Sequence, residues 1–335
     1  MSEPSHRAIV VTGAAGFIGG RVAQRLCQTG HRVVAVDLPG RSYSHLPHLG
    51  NEVRETDLTD AQLLPRSLER VDARAVVHCA ALMGGWRPAS EYRRVNVEGT
   101  RNIAAWAAAT GVSRFFYLSS VTVYGMPPVE GIDEQTPFRH MGLPYADSKI
   151  EAEAMLAAFR ASGLRTTILR PGDVYGPRAS EWVIKLVDSM RAGKMILISG
   201  GRGLVNVTHV DNLVDAIEAA MQIEAAAGRD YIITDGAPVT WKKYLEALAQ
   251  AAGCPPPKLS LPASLAWPAV VALETAGRIT KRKPPLSRLG LRLLTARSTY
   301  SIARATAELG WRPRVAFQEG MDGVGRWLEQ ESGLS

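Results

Sequence analysis

The sequence predicts an α/β fold, a doubly wound parallel sheet followed by a smaller C-terminal lobe. Three observations carry that expectation. Short apolar runs alternate with stretches of helical spacing over most of the 335 residues, and repeated strand–helix units of this kind form parallel sheets covered on both faces. A glycine-rich turn joins the first apolar run to the first helical stretch. The chain is also long for one compact unit, so a main domain over 1–175, with contributions from about 205–235, and a lobe over 176–335 are expected.

The first strand is expected in Arg7–Val11, before the turn Thr12-Gly13-Ala14-Ala15-Gly16-Phe17-Ile18-Gly19 and a helix that stops near Gly30. Gly13 permits the turn, Gly16 lets backbone approach a pyrophosphate, and Gly19 lets helix and sheet pack closely. Free N–H groups at the helix start then face the phosphates. The next strand, Arg32–Val36, leads into Asp37, eighteen residues past Gly19. A carboxylate there accepts hydrogen bonds from ribose hydroxyls and repels a 2′-phosphate, so the unit reads as a Rossmann-type site for NAD. Arg41 lies close enough to soften that preference, which leaves NADP possible.

Further strands are expected at Glu52–Glu55, Ala75–Cys79, Arg114–Ser119, Thr166–Arg170 and Tyr231–Thr234, with helices at Asn96–Thr110, Tyr145–Ser162 and Val210–Glu224. Ligand in such a sheet lies beyond the carboxyl ends of the strands. Asp57-Leu58, His78-Cys79-Ala80-Ala81, Ser119-Ser120 and Pro171-Gly172 all fall there. Tyr145 and Lys149 stand four apart on a helix and share a face. A phenol titrates near 10, too high for efficient work at neutral pH. A neighbouring ammonium is expected to lower that value toward what acid–base catalysis needs.

Composition agrees with a globular enzyme, at 46% hydrophobic and 21% charged residues. Cys27, Cys79 and Cys254 have neither metal-ligand nor redox spacing, and Cys79 reads as a small core residue in a strand. The seven histidines show no ligand pairing, so no metal is expected. Met1–Arg7 lacks the apolar core of a signal peptide, and no stretch approaches the roughly 20 apolar residues of a membrane span. A cytoplasmic protein is expected.

Seven motifs in order carry a resemblance. They are the glycine turn, Asp57-Leu58, His78–Ala81, Asn96-Val-Glu-Gly-Thr100, Tyr117–Gly125, Tyr145-Ala-Asp-Ser-Lys149 and Arg170-Pro-Gly-Asp-Val-Tyr-Gly-Pro177. The chain resembles an extended short-chain dehydrogenase/reductase of the NAD-dependent epimerase/dehydratase superfamily over nearly its whole length. The resemblance implies a catalytic triad of Ser120, Tyr145 and Lys149. It implies cofactor contacts at Gly13, Gly16, Phe17, Ile18, Gly19, Asp37, Asp57, Leu58, Ala80, Ala81, Tyr145, Lys149, Pro171 and Val174. It gives Asn96 a structural place and implies a homodimer through the helices around Asn96–Thr110 and Tyr145–Ser162. In these roles Tyr145 transfers a proton to or from the substrate oxygen, Lys149 binds the cofactor ribose, and Ser120 holds the reacting oxygen. Ser119 reads as a strand-end hydroxyl bonding backbone, and Thr122 as either a pocket or a backbone partner.

One fold hosts oxidoreductases, epimerases and dehydratases. Nucleotide-sugar members resemble Arg-x-x-Asn where this chain has Arg170–Asp173, and carry Arg where it has Val205. Both departures remove anion contacts, and the Asp173 carboxylate is expected to repel a diphosphate. Asn206–Asn212, Tyr300–Gly310 and Met83-Gly-Gly-Trp86 resemble the 3β-hydroxysteroid dehydrogenase and 2-alkyl-3-oxoalkanoate reductase branch instead. That branch implies alcohol–ketone interconversion on a bulky apolar skeleton, with Met83 and Trp86 either touching it or packing their own loop. A nucleotide-sugar epimerase or dehydratase is the alternative. A non-catalytic NAD sensor would be expected to have lost Tyr or Lys from the triad.

The C-terminal third shifts in composition. Leu259–Leu273 is apolar and interrupted by Pro262 and Pro268, both expected to break helix. From Thr275 to Ala307 there are eight basic residues and no acidic one, among them Arg278, Lys281, Arg282 and Lys283, in a chain of net charge +7. No recognition motif supports nucleic-acid binding. The stretch 259–304 is either a solvated basic helix beside an ordinary core helix, or an apolar lid whose basic flank rests on an anionic membrane.

Overall fold

The computed structural model describes residues 7–46, 52–84, 87–280 and 286–332. Seven strands form one parallel sheet: β1 Ala8–Thr12, β2 Val33–Asp37, β3 Val53–Glu55, β4 Ala73–His78, β5 Arg114–Leu118, β6 Thr166–Pro171 and β7 Asp230–Ile233. Their order is β7-β6-β5-β4-β1-β2-β3, so the direction of winding reverses beside β1. A crevice opens at that reversal, beyond the strand ends.

β1 has no polar face. Ile9 and Val11 pack into one hydrophobic cluster, Ala8 and Val10 into another on the opposite face. Helices cover both sides, namely α1 Phe17–Gln28, α2 Gly99–Ala109, α3 Pro144–Ala161 and α4 Val210–Gln222. The expected Asn96–Thr110 helix starts differently. Arg94–Glu98 form a π turn that continues the short Ala89–Arg93 helix into α2. Such a turn re-aims side chains within a helix, and no apolar period marks it in sequence.

Two- and three-residue strand pairs and α5 Trp241–Ala251, α6 Ala263–Thr280 and α7 Arg288–Thr295 form a second assembly around two clusters of their own, α6 and α7 meeting in the smaller one. Pro268 does not break α6, which runs through it. Its ring is exposed, and its missing N–H frees the carbonyl of Ser264, also exposed, where water can bond it. Pro262 does end the preceding segment, and its carbonyl accepts from Leu265 and Ala266 N–H at the helix start. Nor is α6 an ordinary core helix. Ala266 and Val270 are buried, whereas Leu265 and Ile279 are 62% and 78% exposed. Trp86 and the basic run Lys281–Lys283 lie outside the described residues.

Candidate active site

The glycine turn leaves α1 uncapped. Gly16 stands at its N-cap with no side-chain hydrogen bond, and no acidic residue occupies the first turn. The first N–H groups are therefore free for an anion. Gly13 has φ +67, and a Cβ there would stand 2.8 Å from Ala80 N. At Gly19 a Cβ would reach 2.2 Å from the Gly13 carbonyl oxygen, so the turn closes only without side chains. The Asp37 carboxylate ends β2 facing this turn and accepts from Ala15 N at 3.0 Å and Leu38 N at 2.8 Å. A dinucleotide fits this arrangement, with its phosphates over the turn and a ribose at Asp37.

A buried relay places the β4 end against the turn. Thr100 Oγ1 donates to the Asn96 carbonyl at 2.6 Å, leaving its oxygen to accept from His78 Nε2 at 2.9 Å. His78 Nδ1 then accepts from Thr12 Oγ1 at 2.6 Å, and Thr12 Oγ1 accepts from Ala80 N at 3.2 Å. Burial pushes His78 down to about 3, so the ring stays neutral and this tautomer holds. Asn96 serves as a brace. It accepts from Leu82 N at 2.7 Å and donates to the Leu82 carbonyl and Ser148 Oγ.

At the end of β5, Ser120 caps a short 3₁₀ turn, Val121–Tyr124. Its Oγ accepts from Thr122 N at 3.2 Å and from Thr122 Oγ1 at 3.0 Å. With both acceptor positions filled, Ser120 has only its proton left to offer, and its partner is the Tyr145 oxygen. Thr122 thus lines the cleft by orienting Ser120. Ser119 departs from expectation, since its hydroxyl donates to the buried Glu153 carboxylate rather than to backbone.

On α3, Pro144 occupies the first turn, and Tyr145 and Lys149 turn the same face inward. Lys149 is 2% exposed, donates to the Leu118 carbonyl at 2.7 Å and sits 4.7 Å from the centre of the Tyr117 ring. The expected lowering of the Tyr145 pKa is absent. Burial pushes the phenol up to about 12, with only a hydrogen bond to Ser120 acting the other way. Lys149 is committed to the Leu118 carbonyl, 6.0 Å from the Tyr145 ring centre at its Nζ, and burial lowers it to about 8. Cys79 lies just past β4 and lines the cleft as well as touching the core; burial pushes its thiol up to about 12, so it stays protonated.

Every described residue expected at the site opens onto one cleft of about 1930 Å³. Gly13, Gly16, Phe17, Ile18, Gly19, Asp37, Asp57, Leu58, Ala80 and Ala81 line one end. Ser120, Thr122, Tyr145, Lys149, Pro171, Val174 and Met83 line it further along. That volume exceeds a single drug-sized site, about 300–1,000 Å³, and leaves room for cofactor and substrate together. The far wall was missed from sequence. Trp182, Leu186, Met195, Trp241, Val270 and Leu294 form it, with the indoles of Trp182 and Trp241 stacked at 5.6 Å. These residues carry no motif and meet only through the lobe's packing.

Two features bear on anions. Val205, where nucleotide-sugar members resemble Arg, is wholly buried. Asp173 accepts from Asn206 N at 2.9 Å, and burial pushes its carboxyl up to about 7. Burial thus favours its neutral form, which repels a diphosphate less than a fixed carboxylate would.

Residues 9–234 match the model of the NAD dependent epimerase/dehydratase family. The chain belongs to that family. NAD is accordingly its cofactor. Among curated relatives, the 2-alkyl-3-oxoalkanoate reductase of Stenotrophomonas maltophilia is 32% identical over 93% of this chain and 97% of its own length. The 3β-hydroxysteroid dehydrogenase/Δ5→4-isomerase of Mycobacterium tuberculosis H37Rv is 30% identical over 93% and 88%. Among solved structures of the family's fold, MoeE5 in complex with UDP-glucose and NAD is similar with a TM-score of 0.76. It is 27% identical, over 98% of this chain and all of that one.

Proposed function

We propose that this protein interconverts a secondary alcohol and a ketone on a bulky apolar or amphipathic substrate, with Ser120, Tyr145 and Lys149 as its catalytic residues. The convergence of these three on a cleft walled by Trp182, Met195, Trp241 and Leu294 carries the reading. The names of the reductase and the hydroxysteroid dehydrogenase above support it. In this reading residues 1–175, with 205–235, hold the cofactor, and 176–335 hold the substrate.

NAD, when bound, supplies or takes up the hydride. Ser120 turns the proton it offers Tyr145 to the substrate oxygen and stabilises charge developing there. Tyr145, protonated at neutral pH, gives a proton to that oxygen when a ketone is reduced. Lys149 presents an ammonium to the cofactor ribose, and Asp37 accepts from the ribose at the other end while disfavouring a 2′-phosphate. Arg41 lines the same end and offsets part of that charge, so NADP is a weaker cofactor rather than an excluded one. The test is to follow NADH absorbance with apolar alcohols and ketones.

A nucleotide-sugar epimerase or dehydratase is the second reading. MoeE5 with UDP-glucose favours it, as do Lys194 and Arg292, cations that line the cleft. The buried Val205 counts against it, and an amphipathic acid would meet the same two cations.

Among the described residues no helix is long and apolar enough to cross a membrane. The proposal includes a cytoplasmic homodimer paired through α2 and α3, and contact of 259–304 with an anionic bilayer. α6 lines the cleft with Ala266 and Val270 and turns Leu265 and Ile279 outward. Burying each of those two side chains gains about 1.5–3 kcal/mol, and each nearby Lys or Arg adds about 1 kcal/mol on an anionic surface. The protein is expected to co-sediment with anionic and not with neutral vesicles. Leu265→Asp with Ile279→Asp should release it without loss of activity on a soluble substrate. Equal, negligible binding to both vesicle types at low salt rejects the membrane contact.

A further inference from the structure

The inward face of α3 continues past Lys149 to Glu153, one turn further on and 4% exposed. The two residues grip consecutive positions of one strand end. Lys149 Nζ donates to the Leu118 carbonyl, and the Glu153 carboxylate accepts from the Ser119 hydroxyl. The next residue is Ser120.

Glu153 is itself held rigidly. Arg170, on β6, forks onto it with Nε to Oε1 at 3.0 Å and Nη2 to Oε2 at 2.6 Å. The remaining Arg170 donors reach Tyr124 Oη at 2.8 Å and Asp230 at 3.1 Å, and Arg160 holds Asp230 from the other side at 2.8 Å. A bidentate pair of this kind fixes direction as well as distance. Tyr124 ends the 3₁₀ turn that Ser120 caps, so the same guanidinium steadies both ends of that turn.

We propose that Glu153 is a positioning residue for the reaction, aligning Ser120 through Ser119 and supplying the negative charge that faces the Lys149 ammonium. The proposal rests on the assignment of Ser120 and Lys149 as catalytic. Around Lys149 stand Tyr145 and Glu153 of α3, Tyr117 of β5, and His78 and Cys79 at the end of β4. Burial keeps the histidine neutral and the thiol protonated, so Glu153 is the anion of this group. It acts to raise Lys149 against the lowering by burial.

A residue that only stabilises the fold would leave the pH profile unchanged, so the profile is the deciding measurement. Turnover that needs charged Lys149 falls as pH rises through its pKa. Glu153→Gln should move that alkaline limb down by about one pH unit, a tenfold change in the ionisation ratio. It should also lower kcat about tenfold with little change in KM, while NAD affinity below pH 7 stays within about twofold of wild type. Glu153→Gln leaves the buried Arg170 with Asp230, at 3.1 Å, as its carboxylate partner, and the loss of the bidentate pair can cost stability. The double variant Glu153→Gln with Arg170→Gln removes both charges; with the opposing effect of the guanidinium also gone, its limb should lie between that of Glu153→Gln and the wild type. Glu153→Asp should restore the limb and only part of kcat. An alkaline limb at the wild-type pH in the double variant overturns the proposal, as does Glu153→Gln activity lowered at all pH values alike. The Tyr145 assignment is read by a different variant at fixed pH, so the two can fail separately.

Discussion

Tyr145→Phe is expected to lower kcat/KM by about 10²–10⁴-fold, the range a positioned acid–base supplies, and to leave NAD affinity within a few-fold of wild type. The substitution removes one oxygen. It takes away a phenol that is protonated at neutral pH and hydrogen-bonds with Ser120. The ring stays, so the packing of α3 is conserved. The loss should fall on the chemical step, giving a low kcat with a similar KM. Thermal melting controls for fold, and retention of more than about a tenth of wild-type activity would remove Tyr145 from its role.

Lys149→Ala should damage binding and chemistry together. The ammonium is the group offered to the cofactor ribose, and a hydrogen bond to a charged partner is worth about 1.5–3 kcal/mol, or roughly tenfold or more in NAD affinity. The substitution also frees the Leu118 carbonyl that Lys149 holds beside Ser119 and Ser120. A further loss of kcat, to about 10² or more below wild type in kcat/KM, is expected. Wild-type activity should decline above about pH 8, where buried Lys149 loses its proton. The variant should lack that limb, because the group that causes it is gone. Normal NAD affinity in Lys149→Ala, measured by calorimetry, contradicts the ribose contact.

The sheet and the cofactor end of the cleft were legible because their signals are local. Each strand is a short apolar run, and Gly13, Gly16, Gly19 and Asp37 announce a turn and a strand end by chemistry that needs no partner elsewhere. Boundaries moved by a residue or two; β4 begins at Ala73 and ends at His78 rather than spanning Ala75–Cys79, which puts Cys79 on the cleft. What was not legible depends on residues that meet only after folding. Glu153 and Arg170 are seventeen residues apart, and pair because β6 passes beneath α3. Trp182 and Trp241 stack across strand pairs two or three residues long, too short to show a period. Pro268 misled because an exposed proline can be accommodated when the carbonyl it orphans faces water.

Electrostatics was the other gap. Residue types alone suggested that Lys149 lowers Tyr145 and that Asp173 is a fixed anion. Burial outweighs both expectations, raising the phenol and the carboxyl and lowering the ammonium. In a site this enclosed the desolvation of each group dominates its neighbours, and no spacing in a sequence reveals how enclosed a group is.

The most direct measurement of the central claim is a screen of NAD-linked turnover, read as NADH absorbance. One arm holds hydroxysteroids, 3-hydroxy and 3-oxo acids with long alkyl chains, and aromatic or polyketide alcohols; the other holds UDP- and GDP-sugars. An alcohol–ketone oxidoreductase should turn over at least one apolar alcohol or ketone, an activity lost in Tyr145→Phe, and no nucleotide sugar. Product analysis of the second arm also reads epimerisation, which leaves no net NADH. Conversion of a nucleotide sugar, with every apolar substrate inert, would contradict that claim.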